Sequence, residues 1–416
     1  MKCRPEFHLF ECFGVELEYM IVDAQSLAVL PVTDRVLWTV AGEYLSEIEL
    51  GSVSWSNELA LHVIELKTTK PASNLEGLVA EFQENVGRIN QILAPLGGRL
   101  MPTAMHPWMD PHREMRLWPH EHSPIYETLH RVFDCRGHGW ANLQSVHLNL
   151  PFVGDQEFAR LHAAIRLLLP IMPALAASSP VMDGRITGRL DNRLEVYRHN
   201  ARRIPRVSGA VIPEPVFSKQ AYQQEILQPL YRDISPLDPG GIVQFEWLNA
   251  RGAIARFDRN TIEIRVLDVQ ECPRADLAVC SLLSRTLQAM CDERWIGLDQ
   301  QKSFQTELLQ AIFLDGIRFA EKAPIRDADY CAAFGFEIPA QGTCTAGQLW
   351  RHLYHQAHAK VPFPSEIDAA LRIILDNGSL ATRIAGSLGD HPSDKLTQCY
   401  RRLCECLSED RMFTPD

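Results

Sequence analysis

Apolar residues recur along this chain with two different periods, and the change from one to the other divides it. Over residues 13–21 they alternate. Val15, Leu17, Tyr19 and Ile21 point one way and Glu16 and Glu18 the other, as in a strand with one oily face. Residues 146–150 repeat this, with His147 and Asn149 opposite Val146, Leu148 and Leu150. Residues 261–268 do so again, setting Glu263 and Arg265 against Ile262, Ile264 and Val266. Residues 53–67 read as one further strand, in which Val63, Glu65 and Lys67 share a face and Ile64 and Leu66 lie opposite. Glu58 precedes Glu65 by an odd number of positions, so in a regular strand the two diverge; a turn or bulge between them is needed to bring them together.

The helical period governs the rest. Val36, Leu37 and Val40 mark a helix near residues 34–45, and a long stripe from Leu75 to Leu96 marks another, stopped by Gly97-Gly98. A short strand follows at 99–101, and helices are expected at 156–169 and 171–179. Beyond Arg274 the pattern is helical throughout, over 275–294, 301–322, 346–357, 365–375 and 394–407. Strands interleaved with helices and then an all-helical tail predict an α+β fold. The expected division is a catalytic domain over 1–294 and a helical extension over 295–416 packed on it.

Composition narrows the class. The chain has 416 residues, 46% of them hydrophobic and 22% charged, enough for a large core. With 41 basic and 52 acidic side chains the net charge is −11, which argues against nucleic acid as a partner. The 11 cysteines form no Cys-x-x-Cys, so neither a zinc ribbon nor a disulfide scaffold is indicated, and reduced thiols in the cytoplasm are expected. No apolar run reaches the ~18 residues of a membrane span.

The strands carry the candidate chemistry. Two carboxylates side by side on one strand repel each other unless a cation lies between them, and hard divalent ions such as Mg²⁺ take oxygen ligands. A single Gly-x-Glu-x-Glu is weak by itself, since a solvated acidic face gives the same pattern. Several strands with the same layout make a sheet with one dry and one chemically armed face. Other features weigh less. The loop from His106 to Pro124, holding His112, His120 and His122, reads either as the rim of a site or as plain surface. His352, His355 and His358 read as an ordinary helix face, and Cys135 as a buried inert thiol. Seven arginines between Arg185 and Arg206 face either phosphates or surface acids.

Several segments, in order, resemble the glutamate–cysteine ligase family, in particular its bacterial carboxylate–amine ligase branch. They are Gly14-Val15-Glu16-Leu17-Glu18; Glu58 and Glu65 with Leu66 and Thr68; His106-Pro107; Gln144 and His147; Ser178-Ser179-Pro180 with Thr187-Gly188 and Arg193; and 261–268 with Glu263, Arg265 and Asp268. Where that branch has His-x-His, this chain has Ser145 and His147. The resemblance implies a curved, mainly antiparallel sheet forming a funnel like the glutamine synthetase catalytic domain. It implies ATP-dependent amide formation between a carboxylate, glutamate by default, and an amine, through an acyl phosphate. Glu16, Glu18, Glu58, Glu65, His147 and Glu263 would hold Mg²⁺, Arg265 and Arg193 would stabilise the transferring phosphoryl group, and Asn149 and His106 would help to bind ATP. The partners expected are small molecules, with no nucleic acid, no membrane and a homodimer left open. The alternatives are a metal-dependent phosphotransferase or hydrolase on the same sheet, or a non-catalytic nucleotide-binding relative.

Overall fold

In the computed structural model, described for residues 6–340, 342–389 and 392–415, a single antiparallel sheet of eight strands organises the chain. Its strands are β1 (Gly14–Asp23), β2 (Glu47–Leu50), β3 (Val53–Asn57), β4 (Val63–Thr68), β5 (Gly98–Met101), β6 (Ser145–Pro151), β7 (Ala253–Arg256) and β8 (Thr261–Asp268). They run in the order β2-β3-β4-β1-β6-β8-β7, and β5 pairs with the far end of β1. The register sets the polar residues beside one another: Glu16 opposite Lys67 and Glu18 opposite Glu65 across β1–β4, Glu16 opposite His147 across β1–β6, and Glu263 opposite Asn149 across β6–β8. Because side chains alternate along each strand, all of these share one face.

The other face is dry. Val15, Leu17, Tyr19, Ile21, Leu148, Ile262 and Ile264 are completely buried in one core. Helices α1 (Leu78–Leu93), α2 (Gly154–Leu168) and α3 (Pro273–Cys291) pack against one another and contribute to that core. The helices Ala346–Lys360 and Ser365–Asn377 join it through Trp350, Leu353 and Leu371. Helices Leu380–Leu388 and Pro392–Glu409 build a second cluster with Met20 and Val22 of β1 and Met101 of β5. Two ion pairs lock this cover down: Arg383 with Glu271, both fully buried, and Arg274 Nη2 with Asp410 Oδ2 at 2.6 Å. No helix among the described residues is long and apolar enough to cross a membrane.

The sheet class and most helices agree with the periodicity. Residues 53–67 are a hairpin rather than one strand, turning between Asn57 and Val63. The helix expected over 301–322 is two, Leu298–Ser303 and Thr306–Phe319, because Phe304 and Gln305 take extended backbone between them. The irregular arginine-rich stretch contains a short helix, α4 within that stretch being Asn192–Tyr197, started by Asp191, whose carboxylate accepts from the Leu194 N–H at 2.8 Å. The short edge strands β2 and β7 carry no clear periodicity, and the helix Leu380–Leu388, with Leu380, Ile384 and Leu388 on one buried face, is an addition to the expected set.

Candidate active site

A cavity of about 1250 Å³ opens over the polar face and joins a second of about 620 Å³, with Glu58, Glu65, Lys67, His147 and Arg265 lining both. We treat them as a larger and a smaller lobe of one funnel. Gly14 opens the floor of the larger lobe: a Cβ there would meet the Asn149 Cβ at 3.0 Å, so β1 and β6 approach closely only with glycine.

The acids meet in two groups. Ligand atoms of Glu16, Glu65 and His147 lie within 4.8 Å of one another, and so do those of Glu18, Glu58 and Glu65. Glu65 belongs to both. The turn after Asn57 takes Glu58 out of strand geometry, which removes the parity conflict and allows it to converge with Glu65. His147 holds the first group together, its Nδ1 2.8 Å from Glu16 Oε2 and its Nε2 3.0 Å from Ser145 Oγ. Ser145 in turn donates to Glu18 Oε2 from its N–H at 2.7 Å and its hydroxyl at 3.0 Å. Asn149 Nδ2 donates to Glu16 Oε1 at 3.1 Å. Glu263 completes the arc, 3.9 Å from His147 Nδ1, 3.0 Å from Arg265 Nε and 3.5 Å from Arg256 Nη1.

Charge here is one-sided. Burial raises the Glu58 carboxyl well above its ordinary pKa, and the charges of Glu65 and Glu18 push it further. Burial also raises Glu65, and Glu16 adds to it against the pull of Lys67. Burial opposes the charge on Glu16 too, but the hydrogen bond and charge of His147 outweigh it and bring the carboxyl to about 2. His147 responds in kind: burial would lower it, yet the bond to Glu16 and the surrounding acids lift it to about 9. Lys67 Nζ lies 3.3 Å from Glu65 Oε1, yet Glu58 has no cation against it among the described residues, and this oxygen-rich donor set fits Mg²⁺.

Arg265 reaches the cavity from a bulge. The β6–β8 register shifts between Ile264 and Leu267, and the Arg265 side chain lines both lobes. Arg193 lines the smaller lobe, but most of its donors are held by the protein. Its side chain is 2% exposed, Nε donates to Asp268 Oδ1 at 2.6 Å, and Nη2 donates to the carbonyls of Arg265 at 3.0 Å and Leu267 at 2.8 Å. It holds the bulge. His106 is not brought to the cavity at all: it is fully buried, pairs through Nε2 with the Leu27 carbonyl at 2.8 Å, and burial lowers its pKa to about 4. The expectation that it binds ATP is therefore corrected, since its apolar surroundings lie away from both lobes. Of the histidines in the 106–124 loop only His122 lines a lobe; His112 is exposed and His120 Nε2 meets Asp34 at 3.1 Å.

The weaker features resolve into structure. Arg189 and Arg198 pair with Glu195 and Arg206 with Asp233, so surface acids answer that part of the arginine run. His352 bonds the Phe334 carbonyl and His358 meets Asp368, and Cys135 is buried with its thiol pushed up to about 12, first by burial. Tyr197 and Asn200, which line the smaller lobe, were not anticipated; the one available signal is that Tyr197 follows Arg193 by a helical turn.

A funnel-shaped antiparallel sheet with an acidic, arginine-flanked floor is the architecture of the glutamate–cysteine ligase class. The solved structure of a glutamate–cysteine ligase from Francisella tularensis in complex with AMP aligns over 97% of this chain and 90% of its own, with a TM-score of 0.58 at 11% identity, a likeness of fold. Residues 12–340 match glutamate-cysteine ligase family 2, and the chain belongs to that family. An uncharacterized protein of Archaeoglobus fulgidus is 35% identical over 280 residues, 67% of this chain and 75% of that protein.

Proposed function

We propose that this protein is an ATP- and Mg²⁺-dependent ligase that joins a carboxylate, glutamate by default, to an amine. The observation that carries the reading is the double acid group sharing Glu65, at the junction of two lobes and beside Arg265. Two lobes meeting at one cation-binding floor suit two substrates that react there with a nucleotide.

A carboxylate is a poor electrophile, so one oxygen first takes the γ-phosphoryl group of ATP and ADP leaves; the amine nitrogen then bonds to the acyl carbon, phosphate departs and the nitrogen gives up a proton. Bound Mg²⁺ would supply the charge neutralisation that is most of what phosphoryl transfer requires. Glu16, Glu65 and His147 would hold one ion and Glu18, Glu58 and Glu65 another. Glu263 would complete the ligand arc while orienting Arg265. Arg265 presents a permanently charged planar fork to the phosphoryl oxygens. Asn149 fixes Glu16 from the larger lobe and would help to bind ATP if the nucleotide enters there. Arg193 contributes by holding the backbone of Arg265.

The test is ADP release. It is expected only when glutamate or another carboxylate and an amine are supplied together with ATP and Mg²⁺. Equal ADP release with either one alone would indicate a phosphotransferase or hydrolase instead. No release across a broad panel of acids and amines would indicate a non-catalytic relative.

A further inference from the structure

The two lobes differ in the wall that faces the acids. Arg256 and Arg259 line both lobes; the larger lobe adds Asp258, whereas the smaller adds Ile125 and Leu129 from the helix Ser123–Phe133, Trp140 from the helix His138–Ala141, and Leu143 just after it. Ile125, Trp140 and Leu143 are only partly buried although each packs against the core, so apolar surface is left facing the lobe. Trp140 is fixed in place. Its ring stacks on Phe133 at 5.4 Å between centroids, and its Nε1 donates to the Asn200 carbonyl at 3.0 Å.

Above this wall two polar atoms are shut away from water without a protein partner, the Tyr197 hydroxyl and Asn200 Oδ1. Tyr197 is 9% exposed. The Asn200 amide is oriented by its Nδ2, which donates to the Gly139 carbonyl at 3.0 Å and leaves Oδ1 as a free acceptor. A buried polar atom left unpaired costs about 1–3 kcal/mol, so such atoms in a lobe mark where a ligand's polar group belongs. An amide acceptor and a hydroxyl on two residues that line the lobe suit an N–H donor, and the apolar wall suits what that nitrogen carries.

We infer that the smaller lobe receives a primary amine bearing a branched aliphatic or aromatic group, its apolar body on Ile125, Leu129, Trp140 and Leu143 and its nitrogen held by Asn200 Oδ1 and the Tyr197 hydroxyl. This rests on the ligase reading and names its amine class. A short amine would leave the wall wetted and the rotationally free nitrogen poorly placed. Burying the additional carbons favours the larger amine.

The experiment uses the full chain with glutamate, ATP and Mg²⁺ and compares ADP release with isoamylamine and phenethylamine against ethylamine and ammonia. The expected kcat/KM is at least ~10-fold higher for the larger amines, the usual worth of filling an apolar pocket. Trp140→Ala should shrink that ratio ~10-fold; Leu143→Ala, a smaller truncation, serves if the tryptophan variant does not fold. Equal or greater turnover with ethylamine or ammonia overturns the inference and leaves the ligase reading standing. Should no amine release ADP, the ligase reading fails, and saturation-transfer NMR of the same amines on the protein decides the lobe separately: contact to phenethylamine but not ethylamine supports the inference, and contact to neither overturns it.

Discussion

The polar face of the sheet and the interior around it treat buried charge in opposite ways. On the face, Glu16, Glu18, Glu58, Glu65 and Glu263 crowd together, and Glu58 and Glu65 are driven towards the protonated form by burial and by each other. Elsewhere the closest buried ion pairs are matched one to one: Arg193 with Asp268, Arg383 with Glu271. Buried histidines there stay neutral, as burial brings His62 and His162 to about 3. Balanced pairs hold a fold together. An unbalanced group waits for something from outside, and the sign of the imbalance names it as a cation.

The contrast is most sharply tested at Arg193. Arg193→Met leaves Asp268 buried without its counter-charge and should cost about 3–5 kcal/mol of unfolding free energy, measured by denaturant titration. A double variant, Arg193→Met with Asp268→Leu, should recover part of the loss; a loss of turnover with full stability would instead make Arg193 a substrate contact.

Glu263→Gln should have the reverse profile. It removes a ligand charge from a crowded site, so turnover should fall roughly 100-fold while the fold is retained. Normal turnover would show that the cation floor lies elsewhere. Arg265→Lys keeps the charge and loses the fork, and steady-state rates should fall roughly tenfold, the worth of about one charge-assisted hydrogen bond. An unchanged rate would move Arg265 to the structural side of the comparison.

The last test concerns His162. Its folded pKa lies below the ordinary value, so between about 6.5 and 3 the unfolded chain binds a proton that the folded chain does not. Its contribution to stability is therefore present above about pH 6.5 and is lost as the pH falls towards 3. Unfolding measured across that window should show a slope shallower by about 1 kcal/mol per pH unit in His162→Phe. An identical slope would mean that His162 is already protonated in the folded interior.

Much of this was legible in the chain because strand alternation is a local signal. Glu16, Glu18, His147, Asn149, Glu263 and Arg265 could be assigned to one face from their own neighbours, and the register then set them side by side. Glu58 needed a turn that the apolar count of 53–67 does not reveal. His106 sits in a motif, yet burial decides its role, and burial is a tertiary property. Arg193 shows the same limit: sequence places it in the right neighbourhood, but only the bulge in β8 tells whether it faces a phosphate or a backbone carbonyl. Tyr197 and Asn200 become conspicuous only because their hydrogen-bonding atoms are unpaired, which no pattern in the chain records.

The second core cluster carries a consequence for how the protein is made. Met20 and Val22, at the far end of β1, are covered by Leu396, Tyr400, Leu403 and Phe413. A ribosome delivers these partners more than 370 residues apart, so the growing polypeptide has to carry the uncovered end of β1 until they emerge. Contacts this distant are slow to close and leave apolar surface exposed meanwhile. Translation speed and chaperone supply should therefore affect the yield of active protein more than they affect the stability of the finished molecule.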